Sequence, residues 1–308
     1  METRRVGSLE ATVAGLGCNN FGTRIDAAAT ERVVHAALDA GIRFFDTADI
    51  YGGGLSEEFL GRALAGRRRE VIIATKFGKP MPDGQRGASP AYVARAAEAS
   101  LRRLGTDVID LYQLHEPDPS VPIAETLGAL QLLLDAGKVR EIGCSNFSAA
   151  ELREGSESAA RGGTARFASV QNEYSLLERE AEAEVLPECG RLQLAFLPYY
   201  PLASGLLTGK YRAGRSAPEG TRLSAGRYAP ELSEKNLRIV EALRAFAESR
   251  GRTLLELAVG WLLARPAVAS VIAGATRPEQ ARANAAAAGW TLSPEELAGV
   301  DGIVPPEE

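Results

Sequence analysis

Residues 43–66 read RFFDTADIYGGGLSEEFLGRALAG, and this stretch is one unit of a pattern that runs the length of the chain. It opens on an apolar, strand-prone run, RFFDTA (43–48), and crosses a glycine-rich loop. It continues into SEEFLGRALAG (56–66), which starts on serine and acids and stops on glycine, as helices do. Moving outward, strand-like runs recur at AGLGCN (14–19), VIIATKF (71–77), DLYQLH (110–115), REIGCSN (140–146), SVQNEYS (169–175), LAFLPYY (194–200) and SVIAGA (270–275), which makes eight. Helix-period segments separate them at 30–41, 89–105, 120–137, 148–159, 177–191, 234–264 and 277–288. The stretch 234–264 is divided into two helices by SRGRT.

The strand runs carry little period-two alternation, as parallel strands buried on both faces do. Eight strand–helix pairs in 308 residues predict an α/β fold, a (β/α)8 TIM barrel occupying 1–308 as one domain. RRVGSLEATVAG (4–15) reads as a β-hairpin over the barrel floor. Residues 201–233 are too long for a plain connection and read as a cover over a ligand, while 303–308 read as a flexible tail.

Composition narrows the function. Hydrophobic residues at 45% and charged ones at 24% are those of a globular protein, and a net charge of −5 argues against a nucleic-acid surface. The start METRRVGS has no apolar leader and no run is long enough to span a bilayer, so a cytoplasmic enzyme or binding protein without a membrane partner is expected. Cys18, Cys144 and Cys189 lack metal-site spacing, and with only His35 and His115 as histidines no metal site is expected.

Active sites of such barrels sit at the carboxyl ends of the strands. Asp46 ends the second strand with Tyr51 in the loop after it, Lys76 ends the third, and His115 ends the fourth. Taken singly, each has a bland alternative: a turn cap, a lid, a solvated terminus. Together they make a proton-transfer set. A nearby ammonium (Lys76) favours the phenolate of Tyr51 and makes the phenol a better acid, Asp46 holds the ammonium, and His115 can donate to a substrate oxygen. Such a set protonates a carbonyl oxygen or deprotonates an alcohol.

A hydride source has to be found elsewhere. GLGCNNFG (15–22) has the wrong spacing for a Rossmann fingerprint, and GLLTGKY (205–211) is one residue short of a Walker loop. Ser145, Asn146 and Gln171 at the fifth and sixth strands offer groups suited to a carboxamide, and Tyr199 offers a face to a flat ring. Gly274, Thr276 and Arg277 stand at a helix start, where phosphates bind.

These residues sit in motifs of a known family. FFDTADIYGGGLSEEFLGRAL, VIIATKFG, LYQLH, GKVREIGCSNFS, QNEY, YPLASGLLTGKY and VIAGATRPEQARAN follow one another nearly end to end, and the chain resembles the aldo-keto reductases. The likeness is to the bacterial and potassium-channel β-subunit-like branches. It implies a barrel that binds NADPH in an extended pose and reduces aldehydes or ketones to alcohols. It also implies Tyr51 as general acid, Lys76 as its activator, Asp46 as the partner of Lys76, and His115 as the group orienting the carbonyl. Ser145, Asn146 and Gln171 would hold the nicotinamide with Tyr199 stacked on it. Pro201, Leu202, Ser204, Gly205, Leu207 and Lys210 would follow the pyrophosphate, and Gly274, Thr276, Arg277, Gln280 and Asn284 the adenosine end. Many relatives have lysine at the position of Gly274 and arginine at that of Gln280, so a preference for NADP over NAD would rest on Arg277 with Lys210 or Arg222.

Two rivals remain open in the sequence. One is a barrel enzyme in which Lys76 forms a Schiff base with a carbonyl substrate. The other is a cofactor-sensing binding subunit of the channel-β kind with little turnover. The physiological carbonyl and the choice between monomer and homo-oligomer are not encoded in any motif. Cys144, beside Ser145, predicts a site sensitive to alkylation.

Overall fold

The computed structural model describes residues 1–212, 215–219, 221–224 and 232–305. Two antiparallel strands, β1 (Thr3–Val6) and β2 (Leu9–Thr12), form the hairpin. Eight parallel strands follow: β3 (Ala14–Gly17), β4 (Phe44–Asp46), β5 (Ile72–Phe77), β6 (Ile109–Leu114), β7 (Val139–Ser145), β8 (Ser169–Gln171), β9 (Ala195–Phe196) and β10 (Val271–Gly274). Their order is β10-β3-β4-β5-β6-β7-β8-β9, so chain neighbours are sheet neighbours. The sheet closes on itself just before β10, where Phe196 pairs with Val268 and the amides of Phe196 and Ala269 donate to Ala267 and Phe196 at 2.7 and 3.0 Å. This is the expected (β/α)8 barrel, and each of the eight runs read as a strand contributes one.

The helical layer comprises α1 (Ala27–Asp39), α2 (Leu55–Ala63), α3 (Pro90–Leu104), α4 (Ile123–Asp135), α5 (Ala149–Gly162), α6 (Val185–Leu192), α7 (Glu234–Glu248), α8 (Leu254–Leu263), α9 (Pro278–Ala287) and α10 (Pro294–Ile303). The break between α7 and α8 falls on SRGRT, and Thr253 there builds a capping box with Glu256 that starts α8. Two elements differ from the sequence reading. The helix expected over 177–191 begins only at Val185, after a short 3-10 turn at Glu180–Glu182, because Pro187 has to sit in a first turn. Helix α10 lies outside the helical segments expected from the sequence, although Ser293 and Glu296 form a capping box. It also shortens the expected tail: Ile303 ends α10 and Val304 is buried, while 306–308 lie outside the described residues.

Paired phenylalanines show why the strands look apolar throughout. Phe45 joins the core between strands and helices, whereas Phe44 points into the barrel with Ala74, Leu111, Leu197 and Ile272. Val6, Leu9 and Ala11 of the hairpin pack on that interior cluster and stopper its lower end. Burying each such phenylalanine contributes about 1.5–3 kcal/mol. The hairpin is also held by polar contacts, Ser8 N–H to Glu141 at 2.7 Å and Arg4 to the Val268 carbonyl at 2.7 Å.

Candidate active site

Strand register sets the site. Asp46 pairs with Ala74, and Lys76 with Gln113, so these side chains reach the upper end of the barrel together. Lys76 is wholly buried and Asp46 nearly so, and Lys76 Nζ donates to Asp46 Oδ2 at 2.6 Å and to the Thr47 carbonyl at 3.1 Å. The other carboxylate oxygen, Oδ1, accepts from Gln113 Nε2 at 3.2 Å and Gln171 Nε2 at 2.9 Å. A buried ion pair is tolerable only when its remaining hydrogen-bonding capacity is met, and the two amides meet it for Asp46.

The Lys76 ammonium lies 5.3 Å from the centroid of the Tyr51 ring. That ring stands edge-on to His115, centroids 5.8 Å apart at 84°. The glycines after Tyr51 have a structural cause: Gly52, Gly53 and Gly54 have φ of 60°, 65° and 101°, a left-handed run that side chains rarely enter. It turns the chain from β4 into α2 within one loop. Burial, with Lys76 and Lys79 nearby, pushes the His115 imidazole down to about 2, so it is neutral at working pH. Its Nδ1 is buried without a hydrogen-bond partner among the described residues. A neutral ring has one N–H to give and one lone pair to offer. The four residues picked from sequence are therefore together, with an anchored ammonium beside a phenol and a neutral imidazole.

The next strand ends join this group through a chain of hydrogen bonds. Ser145 Oγ donates to the Gln171 carbonyl at 2.7 Å, Asn146 Nδ2 to the His115 carbonyl at 2.8 Å, and Tyr199 OH to Asn146 Oδ1 at 2.9 Å. Asn146, Tyr200, Ala203 and Ser204 all have positive φ (61°, 49°, 43° and 53°), strain of the kind that gathers at ligand sites. Beyond Tyr199 the chain passes Pro201, Leu202 and a 3-10 segment, Ala203–Thr208, that buries Leu207. Partial enclosure of the Lys210 ammonium, then the charges of Arg24, Arg222 and Arg277, lower its pKa, although the side chain as a whole is exposed. Four cations thus converge at one edge of the mouth. Residues 213–214, 220 and 225–231 of the expected cover lie outside the described residues.

The aldo/keto reductase family model matches residues 14–305. The chain belongs to that family. It is 37% identical over 306 residues to the aldo-keto reductase YhdN of Bacillus subtilis, covering 96% of this chain and 91% of that one. It is 35% identical over 274 residues to a probable voltage-gated potassium channel subunit beta of Arabidopsis thaliana, covering 86% and 83%. Among solved structures, the glycerol dehydrogenase AKR11B4 of Gluconobacter oxydans superposes with a TM-score of 0.85 at 32% identity, over 99% of this chain and 96% of that one. The holo form of the aldo-keto reductase AKR11C1 of Bacillus halodurans gives 0.83 at 33%, over 100% and 97%.

Further features of this aldo/keto reductase were not read from its sequence. Gln113 lies two residues before His115, on the inward face by strand alternation, and so reaches Asp46. Asn20, in the loop after β3, accepts from Arg222 at 3.1 Å and donates to the Ala275 carbonyl at 3.5 Å, linking three loops. A β-carbon on Gly274 would come within 3.1 Å of Asn20 Nδ2, so the glycine permits that close approach. Gln280 caps its own helix: its side-chain oxygen accepts from the amides of Thr276 and Arg277 at 2.8 and 3.2 Å and from the Thr276 hydroxyl. A phosphate would reach those amides only by displacing it. Asn284 Nδ2 donates to the Gly274 carbonyl at 3.4 Å.

The expected alkylation of Cys144 is corrected. Alternation sends Ser145 toward the interior and Cys144 outward beneath the helices, where it is wholly buried and burial raises its thiol far above the usual value. Among the described residues no cluster of three His, Cys, Asp or Glu is placed to hold a metal ion, and no helix is long and apolar enough to cross a membrane.

Proposed function

We propose that the protein is an NADPH-dependent reductase of aldehydes or ketones in which Tyr51 protonates the carbonyl oxygen. The observation that carries this reading is the Lys76 ammonium, buried, fixed on Asp46 and 5.3 Å from the Tyr51 ring. As the phenol gives up its proton, the ammonium compensates the negative charge left on the oxygen, a stabilisation worth most where water is excluded. His115, neutral, donates one hydrogen bond to the substrate oxygen and holds it toward Tyr51. A charged imidazole here would compete with Lys76.

The residues present fit a nicotinamide dinucleotide. Strained backbone at Asn146, Tyr200, Ala203 and Ser204 lies along one rim, and four cations stand where no substrate carbonyl needs them. When bound, the reduced nucleotide supplies the hydride. Ser145, Asn146, Gln171 and Tyr199 would hold its nicotinamide. Pro201, Leu202, Ser204, Gly205, Leu207 and Lys210 would cover its pyrophosphate within the 201–233 loop, and Gly274, Thr276, Arg277, Gln280 and Asn284 would surround its adenosine. NADP is favoured over NAD because Arg24, Lys210, Arg222 and Arg277 offer charge-assisted donors to a doubly charged phosphate.

Fluorescence titration with NADPH and NADH, followed by turnover on short aldehydes, tests the reading. Tight NADPH binding with consumption on adding aldehyde is expected, and failure to bind either nucleotide would refute it. A second reading, a cofactor-sensing subunit, draws on the likeness to the Arabidopsis channel subunit. NADPH retained through gel filtration with negligible turnover would favour it.

A further inference from the structure

Asp49 lies where the chain leaves the barrel wall, between Asp46 and Tyr51. Its amide donates to the Lys76 carbonyl at 3.0 Å and so ties the loop to β5, and the Tyr51 amide closes the next turn onto the Ala48 carbonyl at 3.2 Å. The Asp49 side chain is only 1% exposed. Within its electrostatic reach are Glu57 of α2, Tyr92 and Arg103 of α3, Lys76 of β5 and Tyr112 of β6. Among the described residues neither carboxylate oxygen makes a well-formed hydrogen bond, although the Ile50 amide lies close enough to favour the anion slightly.

The nearby cations are committed elsewhere. Arg103 Nε donates to Glu57 Oε2 at 2.6 Å, Lys76 donates to Asp46, and Glu57 also takes the Thr75 hydroxyl at 2.5 Å. The Tyr112 hydroxyl is likewise buried without a partner among the described residues. An unpaired buried anion is far costlier than a neutral acid, and a neutral acid has a proton to donate to such a hydroxyl.

We propose that Asp49 is a positioning residue for the Tyr51–Lys76 pair: it holds a proton in the working enzyme, and its ionisation sets an uncompensated negative charge behind Lys76 that makes Tyr51 a poorer acid. The proposal rests on Tyr51 being the proton donor. An anion at Asp49 competes with Asp46 for the Lys76 ammonium and opposes the negative charge that grows on the Tyr51 oxygen. Burial and then Glu57 push Asp49 up to about 7, against the pull of Arg103 and Lys76, so the change falls within the neutral range. Reduction therefore weakens as pH rises through that value.

Two measurements test this on the intact protein. Infrared difference spectra of cofactor-free protein, titrated between about pH 5 and about pH 9, should show a protonated-carboxyl band that fades near neutrality and is missing from Asp49→Asn. In steady-state reduction with NADPH, Asp49→Asn should raise the ratio of kcat at about pH 8.5 to that at about pH 6 by at least about threefold, leaving KM for NADPH unmoved. Asp49→Ser serves the same purpose if the amide variant is unstable. A spectrum identical in wild type and variant overturns the bound proton. Wild-type turnover with an unaltered pH profile in the variant overturns the positioning role alone, and wild type without turnover overturns the reductase reading together with it.

Discussion

Lys76 Nζ sits 2.6 Å from Asp46 Oδ2 in a setting where Lys76 is fully buried and Asp46 is 3% exposed. Breaking such a pair from one side strands the other charge. Lys76→Met should lower stability by about 3–5 kcal/mol and kcat by at least about 100-fold. Adding Asp46→Asn should recover much of the stability and none of the activity. Denaturant melts and steady-state rates on the single and double variants check this, and recovery of activity by the double variant would contradict the role given to Lys76.

Tyr51→Phe keeps the ring against His115 and removes the hydroxyl. It should lower kcat by at least about 100-fold while NADPH still binds with its wild-type affinity. Near-normal turnover would take the proton-donor role away from Tyr51.

His115 carries a pH signature in stability. Its folded value, about 2, lies below its unfolded value, so below about pH 6.5 the unfolded chain takes up a proton that the folded one refuses. Stability should fall with acid through that window by up to about 1.4 kcal/mol per pH unit from this group. Thermal melts of His115→Gln should show a shallower acid limb.

Asp49 has the opposite sign. Its folded value, about 7, lies above its unfolded one, so the folded state binds the extra proton between about 4 and 7 and loses that advantage as pH rises. Asp49→Asn should be more stable than wild type at about pH 8, by on the order of 2 kcal/mol, and the gap should close toward about pH 4. A gap independent of pH would mean the carboxyl is ionised throughout.

The converging cations give a nucleotide prediction. Arg222→Ala and Arg277→Ala should each weaken NADPH binding by about tenfold and leave NADH nearly unchanged, with a shallower salt dependence than wild type. Equal losses for both nucleotides would place these side chains on the pyrophosphate instead.

Much of this was legible because strand ends are local features. Phe44 to Asp46, Lys76 and His115 each close an apolar run, and register then carries them to one rim. What is not local depends on partners distant in sequence. Asp49 looks like a turn residue until Arg103, brought in by α3, is found committed to Glu57. Gln280, expected at the adenosine end, also has a local task that its letter does not announce: its oxygen accepts from the Thr276 and Arg277 amides. Cys144 looked exposed by its neighbour Ser145, yet adjacent strand residues face opposite ways. Helix α10 was signalled by Ser293 and Glu296, a cue available from the letters alone.

The hairpin of β1 and β2, with Val6, Leu9 and Ala11 pressed onto the packed strand interior, shuts the lower face of the barrel among the described residues and leaves the strand-end face for ligands. On the proposed reading, nucleotide and carbonyl share that face and both depart by it. The component seated deeper under the Tyr199–Lys210 rim is then the last to leave, so traffic at the opening, as well as proton transfer, can pace the cycle.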